Sequence, residues 1–185
     1  MKYKVIRKQN ISPACFVCGT KNSFSLKANF YECEREDGEM VLLTVFSGHN
    51  NHQSYPGRMH GGITSTILDE AIGRAMAINH RQNQIAKGEP ETDIWGVTID
   101  LQVKFRKAVP LETELYCETK IIKETHRSFE GEGKLMLADG TVCATAFGKY
   151  LILTPEQICE GNTDVLKENW MYEDTDFPKE FSIGI

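Results

Sequence analysis

The chain has 185 residues, 41% of them hydrophobic and 25% charged, which fits one globular domain with an ordinary core and room for a terminal extension. No apolar stretch is long enough to span a bilayer, and no basic face interleaved with aromatic residues appears, so a membrane and a nucleic acid are both excluded as partners. The net charge of −5 is uneven: residues 155–185 carry eight acids against Lys167 and Lys179, a net of −6, leaving the rest near +1 and open to a phosphorylated ligand.

The opening, Met1-Lys2-Tyr3-Lys4-Val5-Ile6-Arg7-Lys8-Gln9, has the charges of a signal peptide without its apolar core, so a cytoplasmic location is expected. The six cysteines are then expected to be reduced thiols rather than disulfides. Cys15-Phe16-Val17-Cys18-Gly19 has the spacing of a zinc knuckle, yet zinc wants four ligands and no second C-x-x-C or H-x-x-x-H follows. The expectation is a tight turn whose free thiols pack under the domain, with no metal and no other cofactor.

A loop rich in Cys, Gly, Asn and Ser leads into residues 26–33, and a charged turn at Glu36-Asp37-Gly38 precedes 40–46, which reads as a strand. A loop of turn formers follows, including His49, His52, Gln53 and Pro56-Gly57, and ends at His60-Gly61-Gly62.

From residue 63 to about 81 the spacing becomes helical: Ile63, Ile67, Ala71, Ala75 and Ile78 form an apolar stripe that Leu68, Ile72 and Met76 widen. That much apolar surface predicts an embedded helix. Gly62, Ser65, Thr66, Asp69 and Gly73 fall within about 120° on its wheel, a small and polar face suited to a ligand. Two glycines at a helix start leave bare N–H groups that can approach a ligand closely, where the helix dipole favours negative charge. A carboxylate two turns further on could act as base on whatever carbonyl those groups polarise.

After a polar connection the rest reads as strands. Residues 95–106 alternate, with Val97, Ile99, Leu101, Val103 and Phe105 on one side and Thr98, Asp100, Gln102, Lys104 and Arg106 on the other, which predicts a half-buried strand. Segments 114–123, 128–137 and 141–153 follow, with Asp139-Gly140 as a hairpin turn. One embedded helix followed by an antiparallel meander predicts an α+β domain in which a curved sheet wraps the helix. Residues 1–154 are assigned to this domain with its N-terminal cysteine loop, and 155–185 to an acidic C-terminal extension. Trp170, Met171, Tyr172, Phe177 and Phe181 suggest that the extension docks on the body or on a partner subunit.

The order of strand, His-Gly-Gly, long helix with an acid nine residues after the histidine, and Gly96-Val97-Thr98 opening a strand that ends at Val109-Pro110 resembles hotdog-fold acyl-CoA thioesterases of the phenylacetate-pathway (PaaI-like) type. The likeness covers about residues 15–153, and the stretches Cys15 to Gly19 and His52-Gln53-Ser54-Tyr55-Pro56-Gly57-Arg58-Met59-His60-Gly61-Gly62 resemble one branch of that family. Ser54, where that branch has glycine, and Asn22-Ser23-Phe24-Ser25-Leu26, in place of an Asn-Pro-x-Gly-Leu loop, depart from it.

The resemblance implies that the Gly61 N–H holds the thioester oxygen, that Asp69 is base or nucleophile, and that the Thr98 hydroxyl helps to place the attacking water. Catalytic candidates are therefore Asp69, Gly61, His60 and Thr98, with His60 orienting the turn. Candidates for substrate binding are Gly62, His52, Gln53, Ser65, Thr66 and Arg106, the last with Lys104, Lys107, Arg58 or Arg127 against coenzyme A phosphates. Glu70 lies off the small-residue face and is expected to be structural.

Gly61 and Asp69 are about 12 Å apart along a helix axis, more than one bridging water spans. A site shared between two chains resolves this, and the resemblance implies the same arrangement. A homodimer is expected, pairing further into a homotetramer. The reading for function is hydrolysis of an acyl-CoA to free acid and coenzyme A. The alternative is a non-catalytic acyl-CoA sensor on the same fold, against which retention of Asp69, Thr98 and the glycine pair argues. A dehydratase would want a histidine aimed at the acyl chain. The dull reading of Asp69 is a surface acid paired with Arg74 or Lys104.

Overall fold

The computed structural model describes residues 1–92, 94–162, 164 and 176–184. Among these residues eight strands form one antiparallel sheet: β1 (Lys2–Lys8), β2 (Asn29–Arg35), β3 (Met40–Ser47), β4 (Trp95–Phe105), β5 (Glu114–Glu124), β6 (Ser128–Leu137), β7 (Val142–Leu153) and β8 (Glu180–Ser182). Their order across the sheet is β4-β7-β6-β5-β3-β2-β1-β8. A long helix, α1 (Gly61–Lys87), lies against its middle, and a short one, α2 (Pro155–Ile158), follows β7.

Helix α1 is held by its apolar stripe: Ile67, Leu68, Ala71, Ile72, Ala75, Met76 and Ile78 are all buried. They meet Phe30, Leu42, Leu115, Phe129 and Leu135 from the sheet in one core. The sheet is kept bare where the helix lies on it. A Cβ at Gly131 would stand 2.6 Å from Ile72 Cγ2, so a side chain there would push the helix off.

The helix is longer than its apolar stripe predicts. Past Arg81 the residues are good helix formers, buried Gln84 ties the last turn to Thr92, and Gly88 closes the helix in the left-handed conformation at φ 68°.

The other sheet face carries a second cluster of Tyr3, Val5, Tyr31, Cys33, Val41, Leu43, Tyr116, Met136 and Ile183, with Phe177 and Phe181 packed on it. The chain's two ends meet here. The Met1 ammonium donates to Ile183 O at 2.7 Å, and β8 pairs with β1. Phe177 and Phe181 thus dock on the body, whereas Trp170, Met171 and Tyr172 lie outside the described residues.

Strand β4 corrects the simple alternation. Its pairing with β7 steps from Thr98↔Tyr150 to Asp100↔Lys149, so Ile99 is an extra residue, a β-bulge. Each side of the bulge has its own phase. Leu101 and Val103 face the helical core, but Val97 does not share their side, and Thr98 turns inward with Tyr150 instead of outward with Asp100. The strand is also an edge strand, with Val97, Ile99 and Phe105 41%, 52% and 58% exposed.

Candidate active site

The helix start is capped by its own histidine. His60 Nδ1 accepts from the Gly62 N–H at 2.9 Å, and His60 O accepts from the Thr64 N–H at 3.1 Å. Among the described residues the N–H groups of Gly61 and Ile63 have no acceptor, as the geometry of a first helical turn requires. Gly61 lies beside the Phe105 ring, 3.5 Å from where its Cβ would stand. Ser65 and Thr66 give their hydroxyl protons to Gly61 O at 3.1 Å and Gly62 O at 2.9 Å, bracing the same turn.

His52 is buried at 3% exposure and engaged on both nitrogens. Nδ1 accepts from the His49 N–H at 3.2 Å, so Nε2 carries the proton and donates to Phe24 O at 3.0 Å. Gln53 Oε1 accepts from the Gly57 N–H at 2.8 Å. Both side chains shape the loop that delivers His60. Arg106 is exposed just after β4, next to Phe105.

Two turns along α1, Asp69 meets the β4–β7 pair. Thr98 Oγ1 donates to Asp69 Oδ1 at 2.8 Å, and the Tyr150 hydroxyl lies 3.0 Å from both that oxygen and Asp69 O. Among the described residues Asp69 makes no ion pair with Arg74 or Lys104, and Arg74 pairs with Glu70 at 2.7 Å instead.

Tyr150 is the residue the sequence did not single out. Its ring stacks on Phe129 with centroids 4.9 Å apart and planes 7° from parallel. Gly96 and Gly148 make its seat: a Cβ at Gly148 would stand 2.6 Å from the ring, and one at Gly96 3.3 Å. Burial, reinforced by the Asp69 charge, pushes the Tyr150 phenol well above its usual range, so it stays a protonated donor. Its alternation on β7 placed it on a buried face, but only the register with Thr98 reveals the shared acceptor.

Asp69, Gly73, Thr98 and Tyr150 line a cleft of about 980 Å³ that runs along α1 toward Trp95 and Thr92. Its arginines are matched by acids: Arg7 with Glu91, Arg81 with Glu32 and Glu91, Arg74 with Glu70. The Arg7 hydrogen bond holds Glu91 below the usual carboxylate range. Gly61 does not line this cleft, so one chain keeps its helix-start donor and its Asp69 apart.

The family model that describes the thioesterase superfamily matches residues 56–144, from just before the His-Gly-Gly turn to β7. Over this stretch, a little under half of the chain, the sequence is similar to the thioesterase superfamily. The long helix against an antiparallel sheet is the hotdog fold of that superfamily. One solved thioesterase superfamily protein is 21% identical with a TM-score of 0.55, over 74% of this chain and 62% of that one. A thioesterase from Haemophilus influenzae is 11% identical with a TM-score of 0.54, over 70% and 80%. Zebrafish thioesterase superfamily member 2 is 18% identical with a TM-score of 0.50, over 68% and 80%. This chain spans less than two thirds of the first of these, and at such identities the likeness is one of fold. No curated protein matches it. Among the described residues, no helix is long and apolar enough to cross a membrane.

Proposed function

We propose that the chain is an acyl-CoA thioesterase, which hydrolyses its substrate to the free acid and coenzyme A. The observation that carries this reading is the Asp69 carboxylate, gripped through Oδ1 by Thr98 and Tyr150 at the wall of a cleft. Two fixed donors on one oxygen orient a carboxylate for chemistry at the other. The uncommitted Gly61 N–H, at the positive end of α1, is the matching donor for charge on a thioester oxygen.

In the reaction, Asp69 takes a proton from a water whose oxygen bonds to the thioester carbon. The carbonyl oxygen becomes an anion held by the Gly61 N–H. Collapse of the adduct breaks the carbon–sulfur bond, and the coenzyme A thiolate leaves and takes up the proton that Asp69 had accepted, which restores the carboxylate. In the other route Asp69 attacks the thioester carbon directly, the carbon–sulfur bond breaks to release the coenzyme A thiolate, and water cleaves the resulting anhydride to regenerate Asp69. The Thr98 oxygen keeps lone pairs to accept from the water while its proton stays on Asp69.

His60 holds the turn through Gly62; Ser65 and Thr66 brace it; His52 and Gln53 hold the loop before it. Because the cleft arginines are already matched by acids, the acyl group occupies the cleft. The phosphates then lie near exposed Arg106, beside Phe105 and Gly61.

The separation of Gly61 from the Asp69 cleft supports a homodimer with two shared sites. The outer edge of β4, with exposed Val97, Ile99 and Phe105, is the surface on which it forms, and two dimers pair into a tetramer. Residues 1–154 are the catalytic domain and 155–185 an extension whose β8 covers β1. Among the described residues none of the six cysteines is in a disulfide, which suits the cytoplasm.

The test is turnover of a panel of acyl-CoA thioesters read with a thiol reagent. Release of coenzyme A from at least one member supports the reading. Binding across the panel with no turnover would make the chain an acyl-CoA sensor instead.

A further inference from the structure

The cysteine loop folds so that its two sulfurs turn the same way. The Val17 N–H donates to Cys15 Sγ at 3.2 Å, and the Gly19 N–H donates to Cys15 O at 2.9 Å. Pairing of Leu26 with Phe16 and of Ala28 with Val17 anchors the turn to the chain leading into β2. Facing the sulfurs is Glu70, on α1 one residue beyond Asp69. Cys15 Sγ, Cys18 Sγ and a Glu70 carboxylate oxygen all lie within 4.8 Å of one another.

Two sulfurs and a carboxylate are crowded together at a site where Cys18 is 1% exposed. Arg74 answers part of this charge, with Nε 2.7 Å from Glu70 Oε1 and Nη2 3.6 Å from Cys18 Sγ.

We propose that Cys15, Cys18 and Glu70 bind one thiophilic divalent cation, zinc being the fitting one, with water in the fourth position. A tetrahedral zinc with bonds of about 2.3 Å to sulfur sets its ligand atoms about 3.8 Å apart, so these three need to close by about 1 Å at most. Two thiolates and a carboxylate on a dication leave one negative charge, which the Arg74 guanidinium beside them neutralises. Binding displaces the thiol protons of Cys15 and Cys18 into solvent. Sequence spacing conceals the site because its third donor comes from a helix far along the chain. The ion ties the N-terminal loop to the helix that carries Asp69, independently of what Asp69 does.

The experiment uses the full chain, stripped with a chelator and titrated with Co²⁺ and then Zn²⁺. One equivalent of cobalt should give thiolate-to-cobalt charge-transfer absorption, which zinc removes, and bound zinc should shield Cys15 from a thiol reagent. Glu70→Gln should weaken zinc binding at least about tenfold, and Cys15→Ser should abolish the charge-transfer band or reduce it. Should Cys15→Ser fail to fold, the wild-type cobalt spectrum and zinc protection of Cys15 decide alone. No charge-transfer band with excess cobalt, no protection by zinc, or unchanged affinity in Glu70→Gln would each overturn the site.

Discussion

Thr98 reaches Asp69 Oδ1, 2.8 Å from its hydroxyl, because β4 carries one extra residue between Thr98 and Asp100. Without that bulge, Thr98 would point outward with Asp100 and Gln102. The same step brings Tyr150 opposite Thr98, so one irregularity in one pair of strands puts two hydroxyls on one carboxylate oxygen.

Asp69→Asn keeps nearly the volume of the side chain but replaces an acceptor-only carboxylate by an amide that cannot take a proton from water or form an anhydride. Loss of a general base typically costs about 100-fold to 10,000-fold, so turnover should fall that far while acyl-CoA binding survives. Asp139→Asn, in the distant hairpin turn before β7, should turn over at the wild-type rate. Retention of more than about a tenth of the rate in Asp69→Asn removes Asp69 from the chemistry.

Tyr150→Phe removes one hydroxyl from Asp69 and leaves the stack on Phe129 intact. Stability should drop by only about 1 kcal/mol, while kcat falls by about tenfold to 100-fold with KM nearly unchanged, since a misoriented group costs rate before affinity. Calorimetry alongside steady-state kinetics checks both. An unchanged kcat would reduce Tyr150 to a packing residue.

Tyr3 and Tyr150 are held neutral by burial, Tyr3 further by the Glu118 carboxylate that its hydroxyl contacts. Their folded pKa values lie above the unfolded value near 10, so the stability they contribute is complete below that pH and is lost as pH rises beyond it. The melting temperature should therefore decline above about pH 10, and the decline should be shallower in Tyr150→Phe. Ionisation of all six tyrosines with ordinary pKa values before unfolding, followed by ultraviolet absorbance, would contradict this.

What the sequence made legible was whatever periodicity encodes. Strand β6 spans the residues read for it, β4 begins at Trp95 as its segment does, and the α1 stripe packs as its spacing requires. The misreadings share one cause, which is information that exists only across the fold. A bulge changes phase without changing composition, so simple alternation puts Thr98 on the wrong face. Tyr150 looks like any buried strand aromatic until its register with Thr98 is known. Strand β8, three residues long, is defined only by its partner β1. Strand β1 alternates, with Tyr3 and Val5 buried between the charges of its other face.

The last prediction tests whether the site is shared. Gly61 is the first residue of α1, and His60 before it has φ −64° and ψ 137°, the extended conformation a residue preceding proline prefers. Gly61→Pro should therefore fold, because proline suits the first helical position, yet it lacks the N–H that would hold the oxyanion. Losing one such donor typically costs about 100-fold to 1,000-fold in turnover. Mixed with Asp69→Asn chains under conditions that let subunits exchange, the two inactive variants should complement. In a mixed dimer, one site receives Gly61 from the Asp69→Asn chain and Asp69 from the Gly61→Pro chain, while the other site is doubly defective. With random pairing, half the dimers carry one intact site of two, so activity should return to about a quarter of wild type. Sedimentation of the mixture checks that dimers are present. If dimers form and activity stays at the level of the separate variants, each site lies within one chain, and the distance between Gly61 and Asp69 must be spanned by the substrate itself.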